Sequence, residues 1–199
     1  MREHNQINSQ DEASGGYDGY DPDWQLIREM ADGNIAALDT LYANYGSLLL
    51  NFLRARVNNQ QLAEEVLQDV MLAAWNSASK FQEQSKVKTW LLVIARNRAI
   101  NATRKKQLPV VPVDDVFNLQ TDETGPMEKA IRHDRQAVVR DAIQQLPDAQ
   151  REVLVLVFYH QLTGAEVAEV MDISEGTVKS RLHRAKKALK GILGSEDFL

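Results

Sequence analysis

The sequence predicts an all-α protein built from two small helical domains joined by an extended acidic linker. Apolar residues recur at i, i+3, i+4 and i+7 steps through most of the chain, and no run sustains the two-residue alternation of a strand. Between residues 108 and 127, three prolines interrupt any helix. A length of 199 residues accommodates two small units, and 44% apolar with 26% charged residues is a globular balance that can give each its own core.

Residues 1–22 are polar and contain Gly15, Gly16, Gly19 and Pro22, so a disordered acidic tail is expected there. Met1 to Asp23 holds one arginine and six acids, which accounts for the formal net charge of −5. Trp24, Leu26, Ile27 and Met30 predict a short helix stopped at Gly33, with Asn34 as N-cap of the next. That next helix lines Leu38, Leu41, Tyr42, Tyr45, Leu48, Leu49, Phe52 and Leu53 along one face, and Asn58 and Asn59 break it. From Gln61 to Ser77, one line of Leu62, Val66, Val70 and Ala74 runs beside a second of Leu67, Met71 and Trp75, a wider apolar surface than a single stripe. A polar connection, Ser79 to Lys88, leads to a helix with Trp90, Leu91, Ile94 and Ala95, which runs into a basic patch, Arg96 to Lys106. The first domain thus spans residues 23–107.

The linker, residues 108–127, carries Asp114, Asp115, Asp122 and Glu123 as well as its prolines. The second domain spans 128–193, followed by a tail, 194–199. Ile131, Val138, Ala142, Ile143 and Leu146 give an amphipathic helix stopped by Pro147. The run Val153 to Phe158 reads as a buried helix, because Pro147 and Asp148 supply a helix start ahead of it.

Leu162 to Lys190 predicts two helices and a tight turn. Val167, Ala168 and Met171 face inward from the first, Asp172 and Ile173 turn, and Ser174 caps the second. Asp172 stands where a left-handed residue is needed, a conformation Asp tolerates. In the second helix Val178, Leu182, Ala185, Leu189 and Ile192 step by four and three and pack inward. The other side offers Lys179, Ser180, His183, Arg184 and Lys187, with Arg181 at the margin. From Ser174 to Lys190 there are six Lys or Arg and one acid. Basic face, capped start and turn residue together match a DNA-binding helix-turn-helix better than a solvated surface helix.

Other chemistries find little footing. The chain has no cysteine, which excludes disulfides, thiol nucleophiles and Cys-ligated zinc. His4, His133, His160 and His183 lack ligand spacing, and Glu65 with Asp69 is better read as a solvated helix face. No enzyme activity, cofactor, metal or small-molecule substrate is therefore expected. The N-terminus has no apolar h-region and no stretch approaches the roughly 18 apolar residues of a membrane span, so a cytoplasmic protein without membrane insertion is expected.

Ala63 to Ile100, followed at a linker's distance by Leu146 to Leu189, resembles an extracytoplasmic-function (ECF) sigma factor of bacterial RNA polymerase, of the sigma-70 family. The resemblance covers about residues 24–193. It implies that the first domain is sigma region 2, which docks on the polymerase clamp and opens the −10 element, and that the second is sigma region 4, which reads the −35 element. Leu67, Gln68, Asp69, Val70 and Met71 then fall on the clamp-binding segment. Phe81, Gln82, Gln84, Ser85, Lys86, Thr89 and Trp90 fall on the loop that captures a flipped base, with Arg96, Asn97 and Arg98, then Arg104 and Lys105, along DNA phosphates. Lys179, Ser180, Arg181, His183, Arg184 and Lys187 fall on −35-contacting positions. The implied partners are core RNA polymerase, promoter DNA and an anti-sigma factor.

The chain departs from the family pattern at Glu65, at Asn101, at Asp172 and at Glu83, where a glycine is common. Glu83 is expected to matter most, as an acid beside a DNA strand. Two other functions remain open from the residues: a free-standing helix-turn-helix regulator that binds DNA without polymerase, and an interaction protein that mimics sigma.

Overall fold

A computed structural model describes residues 19–57, 59–106, 138–139 and 141–194; among these there is no strand. The helices are α1 (Trp24–Ala31), α2 (Ile35–Val57), α3 (Gln60–Ser77), α4 (Val87–Lys106), α5 (Asp148–Leu154), α6 (Gly164–Met171) and α7 (Glu175–Leu193). A 3₁₀ turn, Ala78–Lys80, follows α3, and α5 continues into a wider π turn, Val155–Tyr159. Residues 141–144 are also helical. The expected linker, 108–127, lies outside the described residues, as do residues 1–18, residues 128–137 and most of the C-terminal tail.

Local chemistry sets the boundaries. Gly33 ends α1 at φ 88°, a conformation that costs glycine nothing. The Asn34 side-chain carbonyl then accepts from Ala36 N–H at 3.0 Å. Asn59, expected as a breaker, is the N-cap of α3 and accepts from Leu62 N–H at 2.8 Å. Thr163 and Glu166 form a reciprocal capping box at the start of α6, which ends at Asp172 in the left-handed conformation at φ 54°. Ser174 opens α7 by accepting from Thr177 N–H at 3.3 Å.

One apolar core runs through both halves of the molecule. Leu41, Leu49 and Leu53 of α2 meet Val66 and Val70 of α3 and Leu91, Leu92 and Ala95 of α4. Val153, Leu156, Val167 and Val170 from the C-terminal half join that cluster. Each such side chain taken fully out of water contributes about 1.5–3 kcal/mol. The contact between the halves is therefore apolar at its centre. A smaller cluster packs Ala185 of α7 against Leu146 and Leu154.

Several expectations are corrected. The acidic tail does not reach residue 22: Asp21 is buried, and its carboxylate accepts from Asp23 N–H and from Val87 N–H, both at 2.9 Å. It thereby caps α4 from 66 residues away, which starts that helix at Val87 rather than near Trp90. Tyr42 and Val138 are exposed, off the faces assigned to them. Ile192 is also exposed. Val153 to Leu156 is buried as expected, but Phe158 emerges from the π turn and lies under the Lys186 ammonium, 5.2 Å from the ring centroid.

Candidate nucleic-acid interface

The outer face of α7 follows from its sequence periodicity. Burial of Val178 and Ala185 turns Lys179, His183, Arg184 and Lys187 to solvent. Ser180 is half-buried. Arg181 leans the other way, into a cavity of about 400 Å³ between the halves, where Arg56, Arg96 and Glu152 also line the wall. It is thus the one basic member of the expected −35 row directed partly at the protein itself.

The second candidate surface is the connection before α4 and the helix that follows. Phe81 and Trp90 pack with ring centroids 4.9 Å apart, and Trp24 Nε1 donates to the Ser85 carbonyl at 3.0 Å, so the loop is anchored at both ends. Gln82 and Gln84 are exposed, as are Asn97, Arg98 and Arg104. Ser85 and Thr89 are not: they are 8% and 0% exposed. The C-terminal half packs against this helix through α6.

Four polar contacts join that half to this row. Lys86 Nζ pairs with Glu166 at 2.8 Å, and Arg96 Nε donates to Glu152 at 2.9 Å. Glu152 also pairs with Arg56 at 2.8 Å. Lys88 donates to the His160 carbonyl, and Ser85 donates to the Glu169 carboxylate. Burial raises the proton affinity of Glu166, but hydrogen bonds from Lys86 and Thr163 outweigh it and hold the carboxyl below its usual range. Burial pushes Glu169 up and Lys88 down. His160, wedged edge-on against Phe52 and Tyr159, is lowered to about 4 by burial, with Lys88 adding to the effect.

Glu83 does not lie free in the loop. It sits at φ 58°, the conformation for which glycine is the easy residue, and both its oxygens accept from Arg28 at 2.6 and 2.8 Å. The charge expected to face DNA is directed at α1.

The third surface is on α3. Leu67, Val70 and Met71 are 4%, 0% and 7% exposed, packed against α2 and α4, and cannot reach a partner. Gln68 and Asp69 are exposed, and so is Leu72, at 59%. Leu72 escaped the sequence reading because it lies on neither apolar line of α3; a leucine off both lines was the available signal. Among the described residues no group of three or more His, Cys, Asp or Glu could hold a metal ion, and no helix is long and apolar enough to cross a membrane.

Family models match both halves: Sigma-70 region 2 over residues 41–108, and Sigma-70 region 4 over residues 136–189. The ECF RNA polymerase sigma factor SigM of Mycobacterium tuberculosis is 32% identical over 173 residues, covering 86% of this chain and 85% of that protein. The chain belongs to the ECF sigma factors of the sigma-70 family. It is a transcription initiation factor that directs RNA polymerase to promoters. SigM of Bacillus subtilis is 31% identical, covering 78% of this sigma factor and 94% of its own length. The solved structure of CnrH in complex with the cytosolic domain of CnrY is 25% identical, with a TM-score of 0.64 over 89% of this sigma factor and all of that chain. The Bartonella quintana sigma factor RpoE, crystallised with the anti-sigma factor NepR, shares the fold at a TM-score of 0.61 and 21% identity.

Proposed function

We propose that region 2, residues 23–107 with Asp21 added, binds the polymerase clamp and the −10 element, and that region 4, residues 128–193, reads the −35 element. The observation that carries this reading is the exposed row Lys179, His183, Arg184 and Lys187 on a helix whose other side is locked into the core. Phe81, Trp90, Gln82 and Gln84 are suited to hold an unstacked base, since they combine anchored aromatic planes with free amides. Arg98 and Arg104 follow phosphates.

Gln68, Asp69 and Leu72 form the clamp-docking face. An anti-sigma factor is the regulatory partner, as in the RpoE–NepR complex. The protein works in the cytoplasm, where core polymerase is, and catalyses no reaction of its own. In vitro transcription with core polymerase over a pool of genomic fragments tests the reading: promoter-specific transcripts that need both proteins are expected. Tight DNA binding without core enzyme would point instead to a free-standing regulator.

A further inference from the structure

The cavity of about 400 Å³ between the halves is not accounted for by the DNA-contacting rows. Among the described residues its charged wall is made of Arg56 of α2, Arg96 of α4, Arg151 and Glu152 of α5 and Arg181 of α7, with Asp148 beside them. Four guanidiniums therefore meet two carboxylates. Asp148 does little to balance them, since its side chain is 70% exposed and its contact with Arg151 is 3.5 Å long. Glu152 is shared: one of its oxygens takes both Arg56, at 2.8 Å, and Arg96, at 2.9 Å. Arg181 is paired with no described residue.

Phe52, Val155 and Met171 add an apolar side to the wall. A void left by imperfect packing is lined by apolar atoms, because a guanidinium turned into a dry space forfeits its hydration. A pocket that joins apolar surface to a few convergent charges has instead the make-up of a small-molecule site, for which about 300–1,000 Å³ is the usual volume. Guanidinium forks match the oxygens of a phosphate two to two. Arg56 and Arg151 fall on neither the −10 nor the −35 row, so promoter DNA gives them no role.

We propose that this cavity is a binding site for an organic phosphate of small-molecule size, its phosphate held by Arg56, Arg96 and Arg181 and its apolar or aromatic body laid against Phe52, Val155 and Met171. A phosphomonoester brings about two negative charges at neutral pH, which matches the excess of guanidiniums over carboxylates on the wall. Arg56 and Arg96 come from the first half and Arg181 from the second, so the ligand bridges the two. Arg96 and Arg181 are also expected DNA contacts, and a bound phosphate would take up both donors. The site itself does not rest on those DNA assignments.

Calorimetric titration of the full chain with 1-naphthyl phosphate, which joins a phosphate to a two-ring aromatic body, tests the site. Saturable one-to-one binding is expected, about 10-fold or more tighter than that of inorganic phosphate or of 1-naphthol, because each of those forgoes one side of the wall. Arg181→Met and, separately, Arg56→Met keep an apolar stem and remove a donor to the phosphate. Each should weaken binding by about 10-fold or more, the range for a hydrogen bond to a charged group. Arg181 has no partner to lose, so its variant keeps the test clear of misfolding. Lys80→Met, at an exposed position of region 2 outside the cavity, makes the same change in net charge and should leave binding as it is. No saturable binding, or an equal loss in Lys80→Met, overturns the site. Affinity for 1-naphthyl phosphate no higher than for inorganic phosphate overturns the organic ligand. If Arg56→Met and Arg181→Met weaken binding of a mixed-sequence single-stranded DNA but not of 1-naphthyl phosphate, these guanidiniums serve DNA and the proposal falls.

Discussion

Arg28 and Glu83, 55 residues apart in sequence, are joined by two hydrogen bonds of 2.6 and 2.8 Å that tie α1 to the connection before α4. The pair explains how an acid occupies a left-handed position where the family commonly has glycine. The backbone conformation is retained, and the guanidinium takes up the charge. Both carboxylate oxygens are engaged in a fork geometry that a lysine would not reproduce.

Breaking this tie should affect DNA more than folding. Arg28→Ala frees the Glu83 carboxylate beside the path of the strand, so holoenzyme affinity for a fork-junction promoter should fall, most steeply at low salt where the repulsion is least screened. Glu83→Gly removes both charge and backbone strain, and should leave promoter affinity equal to wild type or higher. Equal affinities for the wild type and Arg28→Ala at every salt concentration would show that Glu83 stays clear of the DNA.

Asp21 was hidden in sequence by its neighbours. Composition marks residues 1–22 as a polar tail, and nothing periodic singles out one aspartate that folds back on a helix 66 residues away. Asp21→Ala leaves the Val87 N–H without its cap and should cost about 1–2 kcal/mol. In a chain of this size that is a fall of several degrees in Tm. Asp21→Asn, which keeps one acceptor oxygen, should lose less.

On α3 two sets of neighbours should separate cleanly. Gln68→Ala with Asp69→Ala and Leu72→Ala should weaken binding to core polymerase while the melting temperature barely moves, because all three are exposed. Leu67→Ala should do the reverse, costing about 2–5 kcal/mol of stability through a core cavity. Intact core affinity in the triple variant would remove this face from the clamp interface.

The difference between what could and could not be read follows from the kind of order involved. Helix faces are periodic, so the inward set Val178 and Ala185 and the outward set Lys179, His183, Arg184 and Lys187 could be sorted from spacing alone. The same logic brought out both apolar lines of α3, but not which line meets a neighbour; both do. Pairings such as Lys86 with Glu166 and Arg96 with Glu152 join residues 80 and 56 positions apart. They leave no trace in local pattern. Glu152 and Glu166 sit on short helices whose other residues explain themselves, so neither stood out.

Acid should loosen the molecule through His160. Its proton affinity is depressed to about 4 in the folded chain, against 6.5 when unfolded. Above pH 6.5 both states hold it neutral and it contributes nothing to pH dependence. Between 6.5 and 4 the unfolded chain binds a proton that the folded chain refuses, so stability falls as pH falls, by on the order of 3 kcal/mol in full. Glu169, pushed up by burial, works in the opposite sense near the bottom of that window. Thermal melts at pH 7.5 and pH 5 should therefore differ by more in the wild type than in His160→Leu. The same difference in both proteins would mean that His160 is not the group responsible.

The outward face of α7 gives the sharpest test of sequence reading. Arg184 and Lys179 are exposed, and on the proposed −35 reading each would donate to a guanine edge, a contact carrying about 1–3 kcal/mol of discrimination. Lys187 lies one turn from His183 on the same face and, farther from the helix start, is set to meet phosphate. Arg184→Ala should relax preference at one or two adjacent −35 positions in the holoenzyme and leave the others intact. Lys187→Ala should weaken binding to all sequences alike and reduce the salt slope by about one. The two outcomes differ in kind, so a randomised −35 library read out at two salt concentrations distinguishes them in one experiment. If Arg184→Ala reduced transcription equally from promoters with and without a −35 element, the helix would be binding backbone only, and the specificity of this sigma factor would rest on region 2.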